Sequence, residues 1–255
     1  MTAVRRELEY FFGALGFFTR LPVPAWVGYS AEGLQRSARY FPAVGLLVGA
    51  IAALVYTLAG LVWPKTLAVL AAMGATIYAT GAFHEDGLSD MADGLGGGWT
   101  REQALAIMKD SRVGSYGVVT MVLVLLGKFM ALIELKEVWI PAALVAGHAV
   151  SRFCATLLLR TLDYVRPDDT PSKARPLANP IGNGELVLAG AFALAGLLLL
   201  PPGPALRGCL LAGAMTLWLA RLLQRRLGGY TGDCLGATQQ GAELAFYLGL
   251  LWTFS

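Results

Sequence analysis

The stretch FPAVGLLVGAIAALVYTLAGLV (residues 41–62) runs for 22 residues without a charged side chain. A helix of that length can cross a hydrocarbon core about 30 Å thick. Similar apolar blocks recur along the 255-residue chain, which is 56% hydrophobic and only 15% charged, with a mean hydropathy of +0.59. Soluble domains carry about 25% charged residues. The sequence therefore predicts an all-α, polytopic integral membrane protein that forms one domain over residues 1–255.

The apolar blocks predict about seven membrane-spanning helices, of which the fifth is short and the last only marginally apolar. Residues 1–30 are predicted to contribute an amphipathic helix that lies in the membrane interface, because its large apolar residues share one helical face. These residues are Leu8, Phe11, Phe12, Leu15 and Phe18. The predicted spans are Phe41–Val62, Pro64–Phe83, Gly114–Glu134, Val138–Leu159, Glu185–Pro201, Ala205–Leu223 and Gly236–Phe254.

Positive charge is distributed unequally between the two sets of alternating loops. One set carries only Lys65, Lys136 and Arg207. By the positive-inside rule, the other set and the N-terminus face the cytoplasm, which predicts a multi-pass protein of the cell (inner) membrane. That set holds Arg5, Arg6, Arg20, Arg36, Arg39, Arg101, Lys109, Arg112, Arg160, Arg166, Lys173, Arg175, Arg221, Arg225 and Arg226.

Two classes of protein are disfavoured by composition. The net charge of +3 and the lack of a basic run argue against nucleic-acid binding. The three cysteines, Cys154, Cys209 and Cys234, are widely spaced and form no C-x-x-C pair, which argues against a disulfide framework or a zinc site. The expected partners are therefore the lipid bilayer and small molecules.

Acidic residues gather in FHEDGLSDMADGLGG (residues 83–97), at the end of an apolar span. Asp86, Asp90 and Asp93 are spaced i, i+4, i+7 and share one helical stripe. Three carboxylates on one stripe repel each other unless a cation lies between them. Oxygen ligands favour Mg²⁺ or Mn²⁺, and protein-bound Mg²⁺ commonly meets substrate phosphates. We expect an active-site loop over residues 84–113 with a metal site for a phosphate or diphosphate substrate; a solvated acidic loop is the alternative.

A second polar cluster follows the acidic segment. Thr100 and Gln103 form a capping box, which predicts a short helix on the membrane surface. This helix leads into Lys109-Asp110-Ser111-Arg112, a cluster that combines cations for phosphate with a further carboxylate for metal. An ordinary charged helix end at the interface would show the same residues.

Further candidates come from the second half of the chain. The turn Thr231-Gly232-Asp233 precedes the last predicted span. Arg152 lies roughly 12 Å from the cytoplasmic end of its span at 1.5 Å per residue, within reach of a phosphate, and His148 is one turn deeper. Lys128 is expected to snorkel or to pair with Glu134. The Pro-rich segment 163–184 is predicted to be a mobile cytoplasmic loop.

Five segments together resemble the cobalamin synthase (adenosylcobinamide-GDP ribazoletransferase) family, with its motifs in matching order. This resemblance implies a Mg²⁺-dependent membrane enzyme of the last steps of coenzyme B12 assembly. Such enzymes join adenosylcobinamide-GDP to α-ribazole or its 5′-phosphate and release GMP. Whether the enzyme is a homo-oligomer stays open. The segments are FFTRLPVP (17–24), FPAVGLLVGA (41–50), GAFHEDGLSDMADG (81–94), IMKDSRVGSYG (107–117) and GGYTGDCLGA (228–237).

The resemblance and the residue patterns together give a predicted site. A ribazole hydroxyl would attack the phosphorus next to cobinamide, and either His84 or an unligated aspartate would act as the base. Glu85 falls on a variable position of the first motif and is left out of the site. The predicted catalytic residues are His84, Asp110 and Arg112; the substrate-binding residues are Lys109, Ser111, Arg152, Thr231 and Gly232; the metal ligands are Asp86, Asp90, Asp93 and Asp233.

Two other functions are alternatives. A CDP-alcohol phosphotransferase would also place aspartates at a membrane edge, but its D-x-x-D-G-x-x-A-R motif needs an Ala-Arg pair that is absent here. A transporter would use Lys128, His148 and Arg152 to line a path, yet the chain shows no internal repeat of the kind common in transporters.

Overall fold

The computed structural model describes residues 3–28, 30–166 and 177–252. Within these ranges the regular structure is helical, and the only β-type pairing is an isolated parallel bridge between Tyr164 and Tyr230. The helices are α1 Ala3–Phe18, α2 Ala31–Ser37, α3 Phe41–Ala59, α4 Lys65–Thr80, α5 Phe83–Gly97, α6 Arg101–Ile107, α7 Ser115–Glu134, α8 Ile140–Thr161, α9 Asn183–Leu197, α10 Pro202–Arg226 and α11 Gly232–Leu251.

The all-α membrane fold is confirmed, and each predicted span corresponds to a helix: α3, α4, α7, α8, α9, α10 or α11. By length and composition, four helices of the described chain could cross a membrane, or five if α4 and α5 count as one bent span. Helix α9 has only 15 residues, and α11 carries several polar side chains. The number of seven spans therefore stays a prediction.

A sharp turn separates α4 from α5 and bends the pair by 86°. Gly81 and Ala82 both adopt left-handed backbone conformations there, with φ of 64° and 58°. This conformation costs an alanine about 1–2 kcal/mol. The segment 84–113, which was predicted as a loop, begins instead with the helix α5 and continues into α6. Within the acidic stripe, Asp93 is paired with backbone N–H groups at the start of α7.

Helix α11 lies at the centre of the bundle and packs against α5, α7, α8 and α10. Its polar side chains Gln239, Gln240 and Glu243 are buried against these helices. Helices α5 and α11 approach very closely, since a Cβ on Gly236 would lie 3.1 Å from the carbonyl oxygen of His84. Burial inside protein explains why α11 is only marginally apolar in sequence: its polar groups do not face lipid.

Helix α1 has the predicted apolar face, but that face docks on the bundle. The Phe18 ring packs edge-on against Phe41, with ring centroids 4.5 Å apart, and against Phe83 at 5.7 Å. Leu15 is also buried, whereas Leu8 remains 44% exposed. The interfacial position of α1 stays a prediction; Met1, Thr2 and Tyr29 of the predicted segment lie outside the described residues.

Tyr230 joins two distant parts of the chain. Its backbone N–H donates to the carbonyl of Asp163 at 2.8 Å, and its carbonyl accepts the N–H of Val165 at 3.0 Å. Its hydroxyl donates to the carbonyl of Leu177 at 2.6 Å. Of the predicted mobile loop 163–184, residues 167–176, with Lys173 and Arg175, lie outside the described residues.

Candidate active site

The acidic stripe of α5 faces the N-terminal end of α11. A Cβ on Gly87 would lie 3.0 Å from the backbone oxygen of Asp233, so the two helices touch at this level. Asp86 is exposed and Asp90 is half-buried. Asp90 lies close enough to Asp233 and Asp86 for both charges to repel its own. The structure thus places Asp233 beside the α5 stripe, within electrostatic range of Asp90.

Arg166 supplies a positive charge to this group of acids. Its Nη2 donates to Oδ2 of Asp233 at 2.5 Å, and both side chains are largely buried. The Thr231 hydroxyl donates to the same carboxylate oxygen at 3.2 Å. In the sequence, Arg166 is only one of several positively charged loop residues, and no motif includes it. Its position depends on the Tyr164–Tyr230 bridge, for which no local pattern in the sequence gives a signal.

Asp93, the fourth predicted ligand, has a different set of partners. It accepts the backbone N–H of Gly114 at 2.7 Å and that of Gly117 at 2.9 Å. These are otherwise unpaired N–H groups at the start of α7, where a negative charge is also favourable. Asp93 thus caps α7 in this structure, and its metal-binding role stays a prediction.

The second motif is exposed and pairs internally. Arg112 Nη2 donates to Oδ2 of Asp110 at 2.6 Å, although the Arg112 side chain is 88% exposed. This hydrogen bond holds the pKa of Asp110 below its ordinary value and raises that of Arg112. Lys109 and Ser111 are exposed beside them. The preceding capping box is confirmed, with the Gln103 N–H donating to the Thr100 hydroxyl at 3.2 Å.

His84 and Arg152 lie on the inner side of α5, toward α1. The His84 ring stacks on Phe18 with centroids 5.2 Å apart, and Arg152 donates to the carbonyl of His148 at 3.1 Å. His84 Nε2 and Arg152 Nε are both buried without a hydrogen-bond partner among the described residues. Both side chains line an aromatic-walled cavity of about 20 Å³, room for about one water molecule. The base role of His84 and the phosphate role of Arg152 stay predictions.

Thr231 and Gly232 form the start of α11. The buried Thr231 hydroxyl accepts the backbone N–H of Cys234, so it caps the helix, and Gly232 is its first residue. Their capping geometry places Asp233 in the first turn of α11, next to α5. Contact of Thr231 or Gly232 with substrate stays a prediction.

A buried polar network connects α7, α11 and α5. The expectation for Lys128 is wrong: its side chain is only 5% exposed, and its Nζ lies 3.1 Å from Oε1 of Glu243 and donates to Gln240 at 2.6 Å. Gln240 in turn donates to Oε1 of Glu85 at 2.9 Å. Lys128 finds these partners because α7 packs against α11, a contact that spacing along the sequence does not encode.

Glu85 therefore helps to support the site structurally, although it was excluded from the predicted site residues because it falls on a variable position of the motif. Glu85 lies between His84 and Asp86 in the sequence. Its side chain is buried and accepts a hydrogen bond from Gln240. The network extends through Glu243 to His148, whose Nδ1 lies 3.4 Å from Oε2 of that glutamate. The orientation of α5 is thus tied to charged groups inside the bundle.

The donor chemistry of the acids suits a hard cation. In the part of the chain that the structure describes, no group of three or more His, Cys, Asp or Glu side chains is already arranged as a metal site. Asp86, Asp90 and Asp233 nevertheless offer only oxygen donors, the type that Mg²⁺ prefers. The Arg166 guanidinium already stands against Asp233, which shows that these acids accommodate a positive charge.

Comparison with known proteins points to one family. The family model described as cobalamin-5-phosphate synthase matches residues 10–251. A curated adenosylcobinamide-GDP ribazoletransferase of Leptothrix cholodnii is 49% identical, with 98% of each chain covered. The enzyme of the same name from Shewanella frigidimarina is 48% identical over 96% of this chain and 95% of its own.

No solved structure matches the chain. The family model nevertheless spans the acidic stripe of α5, the Asp110–Arg112 pair and the Asp233 end of α11, so the whole candidate site falls within the match. The chain belongs to the cobalamin-5-phosphate synthase family and is an enzyme of the adenosylcobinamide-GDP ribazoletransferase type.

Proposed function

We propose that this enzyme joins adenosylcobinamide-GDP to α-ribazole 5′-phosphate or to free α-ribazole in a Mg²⁺-dependent reaction. The products are adenosylcobalamin 5′-phosphate or adenosylcobalamin, together with GMP. The observation that carries the proposal is the meeting of Asp86 and Asp90 of α5 with Asp233 of α11. A diphosphate donor and a divalent cation are the ligands that such an oxygen-rich, anionic group suits.

The proposed reaction is a displacement at phosphorus. A ribazole hydroxyl oxygen forms a bond to the phosphorus next to cobinamide, and the bond from that phosphorus to the bridging oxygen of GMP breaks. Bound Mg²⁺, held by Asp86, Asp90 and Asp233, would neutralise charge on the diphosphate oxygens. Lys109 and Arg112 are exposed and would hold non-bridging oxygens.

The proton of the attacking hydroxyl needs an acceptor within hydrogen-bond reach. Asp93 is already occupied by backbone N–H groups, and Asp86, Asp90 and Asp233 are assigned to the cation. His84 is therefore our candidate, since its Nε2 has no hydrogen-bond partner among the described residues, although it faces the enclosed aromatic cavity. We further propose that the site opens to the cytoplasm at the inner membrane, as the loop charges favour.

The test is turnover of purified protein in detergent. We expect GMP release from adenosylcobinamide-GDP that requires both a ribazole acceptor and Mg²⁺ and stops with chelator. Asp86→Asn and Asp90→Asn should each reduce the rate by at least about 100-fold, because each removes an anionic oxygen ligand of the proposed cation.

Glu102→Gln is the matched control, since Glu102 is an exposed acid of the neighbouring helix α6. It should leave the rate unchanged. Full activity of both Asp→Asn variants would indicate that the acidic stripe is a solvated surface and not a metal site. Release of CMP from a CDP-alcohol, without turnover of adenosylcobinamide-GDP, would favour the other class of membrane phosphotransferase.

A further inference from the structure

Arg166 enters the acid group from the segment that follows α8. Its guanidinium donates to Asp233 Oδ2 at 2.5 Å, and its charge also acts on Asp90. The side chain is 15% exposed, so the pair is mostly shielded from water. Arg166 thus contacts the predicted metal site although it belongs to none of the three sequence motifs.

The backbone that carries Arg166 is held in place. Val165 donates to the carbonyl of Tyr230, and Tyr230 donates to the carbonyl of Asp163. The approach of these two segments requires a glycine at position 229, because a Cβ there would lie 2.0 Å from the Asp163 oxygen. Tyr230 is three residues before Asp233, so the same turn positions both members of the ion pair.

The hydrogen bond to Asp233 uses only one nitrogen of the Arg166 guanidinium. Among the described residues, its only hydrogen-bond partner is Asp233, through Nη2. A guanidinium presents five N–H donors in a planar fork that matches phosphate oxygens. A divalent cation that binds Asp233 would compete with Arg166 for that carboxylate and release these donors beside the cation.

We propose that Arg166 is a diphosphate-binding residue that Asp233 holds in the absence of substrate. With a nucleoside diphosphate and a divalent cation bound, Asp233 would hold the cation and the Arg166 guanidinium would donate to the diphosphate oxygens. This inference rests on the proposed function for the identity of the ligand. Arg166 should therefore have opposite effects on two affinities. It should weaken binding of the cation when no nucleotide is present, and it should strengthen binding of the nucleotide.

Equilibrium binding to purified full-length protein tests the exchange, with Mn²⁺ followed by electron paramagnetic resonance and GDP followed by calorimetry. Arg166→Gln should lower the Kd for Mn²⁺ alone about two- to fivefold, because the ion pair that competes for Asp233 is removed. The same variant should raise the Kd for GDP in saturating Mn²⁺ about tenfold or more, because charge-assisted hydrogen bonds are lost.

Two further variants distinguish the exchange from a structural role. Arg166→Lys retains the charge but not the fork, so it should restore the Mn²⁺ Kd toward wild type while GDP binding stays weakened. Arg225→Gln removes an exposed arginine at the end of α10, and both Kd values should stay at wild-type levels.

Several results would overturn the inference. Parallel weakening of Mn²⁺ and GDP binding in Arg166→Gln would indicate a structural role only. Unchanged Kd values would place Arg166 outside the site, and a wild-type protein that binds neither probe would also contradict it. Turnover is not the readout, so an enzyme that shows the exchange without releasing GMP would refute the proposed function and leave this inference standing.

Discussion

The Asp93 carboxylate on α5 accepts the backbone N–H of Gly117 on α7 at 2.9 Å, and it is buried. This contact, with its companion to Gly114 at 2.7 Å, separates Asp93 from the other acids of the stripe. Asp93 holds two helices together, whereas Asp86 and Asp90 have side chains available to a ligand.

We therefore predict that Asp93→Asn lowers stability. The amide retains only one oxygen acceptor and places an NH₂ group against a backbone N–H, so the loss should be about 1–3 kcal/mol. Thermal unfolding in detergent measures this as a lowered midpoint. Asp90→Asn is the comparison: it relieves repulsion from Asp86 and Asp233, so it should unfold at or above the wild-type midpoint while losing turnover. If Asp93→Asn unfolds like wild type, the capping role is wrong.

The Lys128–Glu243 pair gives a second prediction. Lys128→Met should destabilise the protein by about 3–5 kcal/mol, because it leaves a buried carboxylate without its cation. The double variant Lys128→Met/Glu243→Gln should recover part of this loss. Denaturation of these two variants and of Glu243→Gln alone in mixed micelles completes a double-mutant cycle.

The exposed pair Arg36–Glu32, with side chains 49% and 75% exposed, serves as the control. Arg36→Met should cost less than about 1 kcal/mol. If Lys128→Met and Arg36→Met lowered the free energy of unfolding equally, the buried Lys128–Glu243 pair would contribute no more to stability than the exposed pair.

The Asp110–Arg112 pair predicts a pH dependence. Its hydrogen bond holds the folded-state pKa of Asp110 below the ordinary value, so the pair stabilises the folded state above the unfolded pKa of about 3.9. This contribution disappears as the pH falls through the lower, folded-state value. Carboxyl ¹³C NMR of Asp110 should show the depressed midpoint, and Arg112→Ala should raise it. An unchanged midpoint in the variant would contradict the pairing.

Orientation can be tested by cysteine labelling in cells, in a Cys209→Ser background because the other two cysteines are buried. Ser111→Cys, in the set of loops proposed to be cytoplasmic, should resist an impermeant maleimide. Val138→Cys is the matched position on the opposite set; it is 79% exposed and should label. The reverse pattern would invert the proposed topology.

Much of the fold and part of the site follow from the sequence. Apolar length predicts the helices, and the Thr100–Gln103 capping box predicts the start of α6, because both signals are local. Counting the intervening spans predicts that Asp233 and the α5 stripe lie on the same side of the membrane. These inferences need only a helix period, a cap or a side of the membrane.

The features that were missed depend on which helices touch. Lys128 pairs with Glu243 and Arg166 with Asp233 across long sequence separations, and neither partner is marked by spacing. Glu85 was missed for the same reason, because its structural role depends on its hydrogen bond with Gln240 of α11. The bend after α4 was also missed, since it depends on an alanine with a positive φ.

The burial of Gln239, Gln240 and Glu243 in α11 has a consequence for biogenesis. These side chains are costly in lipid, so α11 is a poor candidate to enter the bilayer unaided. All of the helices that cover it, α5, α7, α8 and α10, precede it in the chain. Synthesis therefore delivers the polar helix only after its protein surroundings exist, and membrane insertion of α11 becomes a step of tertiary assembly.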